Sequence, residues 1–232
     1  MRTILVWLCL GPGMVAGLFA QNLVVNPGFE QLEKQFTPAT PCRYAKHGKE
    51  FTQVVHGWTS FADRTPDLIA WDSTLTDCPY PPPKEGNHYA GIITYLPRRD
   101  SGHDIDYHEY IQGTLHSPLV PGRTYRLSFW MYQSDSVAHA HIKSIYGYRK
   151  IAVYSVSAAH LGLCLLKEPI IPTLSFAQNE PYLELKPVFE MKYPPRTDKP
   201  GWQRVSAVFT ATEGARYFII GNFRAAVHTP IY

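Results

Sequence analysis

Tyr95, Arg98, Tyr107, Trp130 and Tyr132 combine flat aromatic faces with hydrogen-bonding side chains. A sugar demands that pairing, because its ring presents apolar C–H faces bordered by hydroxyl groups. The five residues fall on outward strand faces and one adjoining loop. For each aromatic the competing reading is packing against a long proline-rich segment further along the chain. Trp58 and Trp202 are read as core.

The residues that could do bond-breaking chemistry make a weaker set. His108-Glu109-Tyr110-Ile111-Gln112 resembles half of a zinc-protease motif, but Gln112 stands where the second histidine belongs. Ligands at that spacing share a face only on a helix, and the stretch reads as a strand. His139 and His141, two apart, would share one side of a strand and could chelate a metal; polar residues at a strand end near Asp135 are the plainer reading. Asp104, Asp106 and Glu109 could be cast as a glycosidase pair, or as a solvated acidic loop. The chain has no Gly-x-Ser-x-Gly elbow, no phosphate loop, no Gly-x-Gly-x-x-Gly and no Cys-x-x-Cys. The expectation is a protein that binds rather than catalyses.

Short β-rich stretches separated by Pro, Gly, Asn and Asp clusters must position these side chains. Strands are expected over 23–25, 52–55, 89–95, 107–115, 124–133, 150–156, 203–211 and 217–222. In 124–133, Tyr125, Leu127, Phe129 and Met131 share one face, while Arg126, Ser128, Trp130 and Tyr132 share the other. In 203–211, Val205, Ala207 and Phe209 point inward, opposite Arg204, Ser206 and Val208. Prolines at 169, 172, 181, 187, 194, 195 and 200 mark 157–201 as an excursion from the sandwich, with a short hairpin expected between 182–185 and 188–191. The fold class is all-β, and 21–232 reads as one domain.

Arg2, the apolar stretch from Ile4 to Phe19 and the small residue Ala20 before Gln21 form a secretory signal peptide over 1–20. Gly11, Pro12 and Gly13 shorten its apolar core, whereas a spanning helix needs roughly 20 apolar residues. No other segment is long and apolar enough to cross a bilayer, so no membrane insertion is expected after cleavage. A net charge of +3, with only 18% charged residues and no run of like charges, argues against nucleic acid as a partner. Outside the leader stand Cys42, Cys78 and Cys164. In an oxidising compartment Cys42 and Cys78, both in Pro-rich loops, are the natural disulfide, worth about 3–4 kcal/mol. Cys164, in the apolar run 161–166, reads as a buried thiol, with the rival that it takes one of the loop partners.

Asn22-Leu-Val-Val-Asn-Pro-Gly-Phe-Glu30, then Gly57-Trp58, resembles the opening of carbohydrate-binding modules with the galactose-binding-like jelly-roll fold. Thr65-Pro66-Asp67, Tyr89-Ala90-Gly91-Ile92, Glu109-Tyr110-Ile111-Gln112, the turn from Pro118-Leu119 to Pro121-Gly122, Ser128-Phe129, Trp202 with Phe209, and Ile220-Gly221-Asn222-Phe223 extend the likeness. Together they are similar to exported bacterial modules that precede an outer-membrane-protein-A-like domain. The resemblance implies a two-sheet antiparallel jelly-roll sandwich, a location in the periplasm, at the outer membrane or outside the cell, and a glycan or cell-envelope polymer as partner. The alternative it leaves open is a structural or adhesion module making protein contacts for an attached anchor domain. It requires no cofactor, but implies a structural calcium with Glu30 as the position to watch. The family usually continues past Gly221-Asn222-Phe223 into a closing strand, which implies a longer protein or a sandwich without its last strand.

Overall fold

Alternation of inward and outward side chains marks the two longest strands, and antiparallel strands dominate the regular structure of the described residues. The computed structural model describes residues 21–33, 48–60, 66–71, 74, 81–100, 103–133, 138–144, 147–153, 159–171, 182–193, 201–225 and 228–230, with backbone alone for 48–49, 96–100, 103–107, 138–144 and 147–153. The expected leader over 1–20 and the expected Cys42–Cys78 pair lie outside the described residues. In chain order the elements are helix α1 (Gly48–Val54) and strands β1 (Trp58–Ser60), β2 (Asp67–Ala70), β3 (His88–Gly91), β4 (Leu96–Asp100), β5 (His103–Tyr107), β6 (Ile111–Thr114), β7 (Thr124–Met131), β8 (Ala138–Ser144), β9 (Gly147–Val153), β10 (Leu161–Leu166), β11 (Phe189–Glu190), β12 (Gln203–Thr210) and β13 (Tyr217–Asn222). The architecture is all-β and sandwich-like.

A five-stranded sheet runs in the order β1-β6-β13-β10-β11, with every neighbour antiparallel. β7 and β12 pair antiparallel along their whole lengths, from Gln203 opposite Met131 to Thr210 opposite Thr124. Trp58, Ile111, Leu115, Leu163 and Phe218 of the large sheet form a core with Phe51 and Val54 of α1, and Tyr125, Leu127 and Phe209 of β7–β12 pack against it. Tyr125, Leu127 and Phe209 are thus on the inner face that their alternation predicts. Gly113 sits opposite Phe218 in the ladder, where a Cβ would lie 2.3 Å from the ring. The other face of the large sheet is covered by a second cluster of Tyr110, Cys164, Leu183, Ile219 and Phe223. β2–β3, β4–β5 and β8–β9 are two-stranded antiparallel sheets.

Three sequence expectations change. The strand expected over 52–55 is the end of α1, because Phe51, Val54 and Val55 are all buried at a spacing of three and four residues, the helical period. The Val-Val pair favours a strand locally, and burial of one helical face overrides it. The hairpin expected between 182–185 and 188–191 does not form. β11 instead pairs with β10, with Glu190 opposite Gly162 and Phe189 opposite Leu163, because the edge of β10 offers a longer hydrogen-bonding partner. β10 itself falls inside the proline-marked stretch 157–201, yet it is an interior strand between β13 and β11.

The motif Asn26-Pro27-Gly28-Phe29-Glu30 builds a tight loop. Asn26, buried and at φ 50°, donates through Nδ2 to the carbonyls of Gln31 and His56 and accepts from the Gln31 N–H, each at 3.0 Å. The Trp58 indole donates to the Asn26 carbonyl at 2.9 Å, and the Phe29 ring lies 4.6 Å from the Trp58 ring. Trp58 is core, as read.

Candidate functional site

The outer face of β7–β12 is lined, strand by strand, by Thr124, Arg126, Ser128 and Trp130 and by Arg204, Ser206, Val208 and Thr210, all exposed. The alternation that leaves Leu127 and Phe129 half-buried leaves Trp130 39% exposed and Val208 65% exposed. Register sets Arg204 opposite Trp130, Ser206 opposite Ser128 and Val208 opposite Arg126. The Arg204 Nε donates to Ser128 Oγ at 2.9 Å, which lays the guanidinium along this face.

From Trp130 the aromatic surface continues past the end of β7. Tyr132 and Trp202 have ring centroids 5.8 Å apart, and Trp202 meets Tyr89 edge-on at 5.1 Å. The edge-on contact satisfies the opposed charge of ring faces and edges. Trp202 is therefore half-buried in a surface cluster, not part of the core that its size suggests. Both polar ends in this cluster hold one segment, 81–88: Trp202 Nε1 donates to the Pro82 carbonyl at 2.8 Å, and the Tyr89 hydroxyl donates to the Pro81 carbonyl at 2.9 Å. Further along the segment, Lys84 Nζ stands 4.6 Å over the centre of the Trp130 ring, within cation–π range.

Glu30 closes the far end of that segment. Its Oε1 accepts the backbone N–H of Asn87 at 2.7 Å and of His88 at 3.0 Å, and its Oε2 accepts from His88 Nδ1 at 2.6 Å. Gly86, at φ 68°, makes the approach feasible, because a Cβ there would stand 2.1 Å from Glu30 Oε1. Burial alone would raise the Glu30 pKa, but the bonds from His88 and Asn87 outweigh it and hold the carboxyl below its ordinary value. Calcium takes oxygen ligands, whereas Glu30 faces three N–H donors. Among the described residues no group of three or more His, Cys, Asp or Glu gathers as a metal site. The Glu30 surroundings do not fit the implied calcium; they fit a backbone clasp.

The remaining candidates lie on or beside other strands. Tyr95 is half-buried just before β4. Arg98 on β4 lies opposite Ile105 and Tyr107 on β5 lies opposite Leu96, in a hairpin that shares no ladder with β7–β12 among the described residues. Trp130 and Tyr132 come together with Trp202, Tyr89, Lys84 and Arg204 instead. Sequence reasoning left those four out of the site. Arg204 was legible as outward-facing, and the run Pro81-Pro82-Pro83 before Lys84 was a cue for an extended strap.

A scan of protein-family models finds none that matches this chain, and a search of curated proteins finds no match either. The geometry alone therefore carries the assignment.

Glu109 and Gln112 are engaged in hydrogen bonds that tie the sheet to neighbouring segments. His108 and Glu109 are buried, and Glu109 Oε2 accepts the Ile93 N–H at 2.8 Å while its own N–H donates to the Ile93 carbonyl at 2.8 Å. His108 lies between the rings of Tyr110 and Tyr182, at 6.4 and 6.3 Å. Gln112, in the place of the second histidine, pins the chain at Ile170: its Oε1 accepts that N–H at 2.9 Å and its Nε2 donates to Thr59 Oγ1 at 3.0 Å. Asp104 and Asp106 lie on β5, and His139 and His141 sit two apart on β8, opposite Ala152 and Lys150. Cys164 is a free, buried thiol whose pKa burial, aided by the charge of Glu190, pushes up to about 12. That is the opposite of an activated nucleophile.

Proposed function

We propose that this chain is an exported, non-catalytic binding module of the galactose-binding-like jelly-roll type, working at the bacterial cell envelope. Its ligand is a glycan or another surface polymer, held on the outer face of β7–β12. The observation that carries this reading is Trp130: a large ring left 39% exposed on a regular strand face, with hydrogen-bonding Arg204, Ser128 and Ser206 around it. Folding gains nothing from that exposure, since burying a large aromatic stabilises a fold by roughly 1.5–3 kcal/mol. A sugar ring would supply the missing apolar contact, and the neighbouring side chains would take its hydroxyls.

The buried state of His108, Glu109 and Cys164 supports binding over catalysis. The test is a glycan array probed with the purified protein, alongside Trp130→Ala and Tyr132→Ala. Binding that both variants lose is expected. A wild-type protein that binds no glycan, or variants that bind as well as wild type, would defeat the assignment.

A further inference from the structure

We infer that the polymer recognised on the outer face of β7–β12 is anionic, bearing carboxylate or sulfate groups; this rests on the binding-module reading above. Arg126 and Arg204 are both exposed on that face and flank Ser128 and Trp130, and neither strand contains an acidic residue. Lys84 adds a third cation, over the Trp130 ring itself. Glu85, next to Lys84, is the one carboxylate in the strap 81–88. Single-sign charge on a local face raises the concentration and arrival rate of oppositely charged ligands even where net charge is small.

Lys84 decides between a neutral and an acidic ligand. A sugar stacking on the side of Trp130 that Lys84 covers must move the ammonium away. A neutral sugar offers it nothing in return, and the cation–π contact is lost. A sugar carrying a carboxylate or sulfate gives the ammonium an ion pair beside the ring, so the same displacement is compensated. Arg204 is prepared for the same task. Its bond to Ser128 uses Nε, and among the described residues the terminal guanidinium nitrogens remain as donors for a planar oxyanion. Arg126 and Trp130 are four residues apart along β7, about 13 Å at the strand rise, so the face spans a polymer segment rather than one monosaccharide.

The experiment is affinity electrophoresis of the full chain through gels containing polygalacturonate, its fully methyl-esterified form, dextran sulfate, or no polymer. A labelled single-stranded oligonucleotide serves as a separate arm. Retardation by polygalacturonate or dextran sulfate is expected, and which of them retards separates carboxylate from sulfate recognition. The ester should have no effect, and about 0.5 M salt should abolish retardation by screening the exposed charges. Arg126→Gln with Arg204→Gln should weaken binding about tenfold or more with an unchanged unfolding transition, since both side chains are exposed, and Trp130→Ala should weaken it with the charges intact. Equal retardation by acid and ester would overturn the anionic assignment and leave glycan binding standing. Retardation by no polymer would overturn it too, with the array deciding the broader reading independently. Tight oligonucleotide binding without polysaccharide binding would also overturn it.

Discussion

Trp202 Nε1 donates to the carbonyl of Pro82 at 2.8 Å, a bond between residues 120 positions apart. With the Tyr89 hydroxyl on the Pro81 carbonyl and the Glu30 carboxylate on the Asn87 and His88 N–H groups, it fastens the strap 81–88 at both ends. Lys84 lies between the fastenings, so its position over Trp130 depends on all of them.

Trp202→Phe tests the first fastening. It keeps an aromatic ring against Tyr89 and Tyr132 and removes the indole donor, at an expected cost of about 0.5–1.5 kcal/mol for one hydrogen bond. The loss should be local. Hydrogen exchange at 84–88 should quicken while the ladder of β10 and β13 exchanges as in wild type; equal acceleration in both would show that Trp202 acts through the core instead.

Glu30 makes the second fastening sensitive to pH. Its carboxyl titrates below the ordinary value of 4.5 in the folded protein. A depressed acid contributes stability that is present above the unfolded value and is lost as pH falls through the folded one. Proteolysis within 81–88 should therefore speed up as the pH drops below about 4.5. Glu30→Gln should show faster cleavage already at neutral pH and less of that acid dependence. Identical pH profiles for the two proteins would remove Glu30 from the mechanism.

Tyr110 ties together both sides of its sheet face. Fully buried, it donates to the Asn222 carbonyl at 2.6 Å and accepts the Leu183 N–H at 3.0 Å, while its ring packs on Phe223. Tyr110→Phe preserves the ring and leaves a buried N–H and a buried carbonyl each short of a partner. The expected loss is about 1–3 kcal/mol, read as a lower midpoint in urea with an unchanged slope. A neutral effect would mean that water reaches Leu183.

The outward position of Trp130 was legible because eight residues of β7 keep strict alternation, and a period of two assigns faces without any partner. The Gln203–Thr210 strand reads the same way, down to Arg204. What failed was information held in pairs. Nothing near Trp202 announces Pro82, and nothing near Glu30 announces His88; Glu30 drew attention for a metal, and its partners are N–H groups 57 and 58 residues away. β1, with three residues, is too short for a period to show. At Val54–Val55 local propensity pointed to a strand, and the burial of Phe51 on the same helical face decided otherwise.

Cys164 gives the last test, because its chemistry follows from its place in the large sheet. It lies on β10 opposite Ile219, in the cluster with Tyr110 and Phe223, and burial followed by the charge of Glu190 raises its pKa from 9.0 to about 12. The neutral thiol is therefore the form the fold stabilises. Stability from this group is fully present below 9.0 and declines as pH rises toward 12, where the unfolded chain ionises first. At pH 8 the native protein should leave Cys164 unmodified by a thiol reagent, and urea should release it in step with global unfolding. Fast labelling of Cys164 in the native state, identified by peptide mapping, would contradict the buried placement of β10 and with it the interior of the five-stranded sheet.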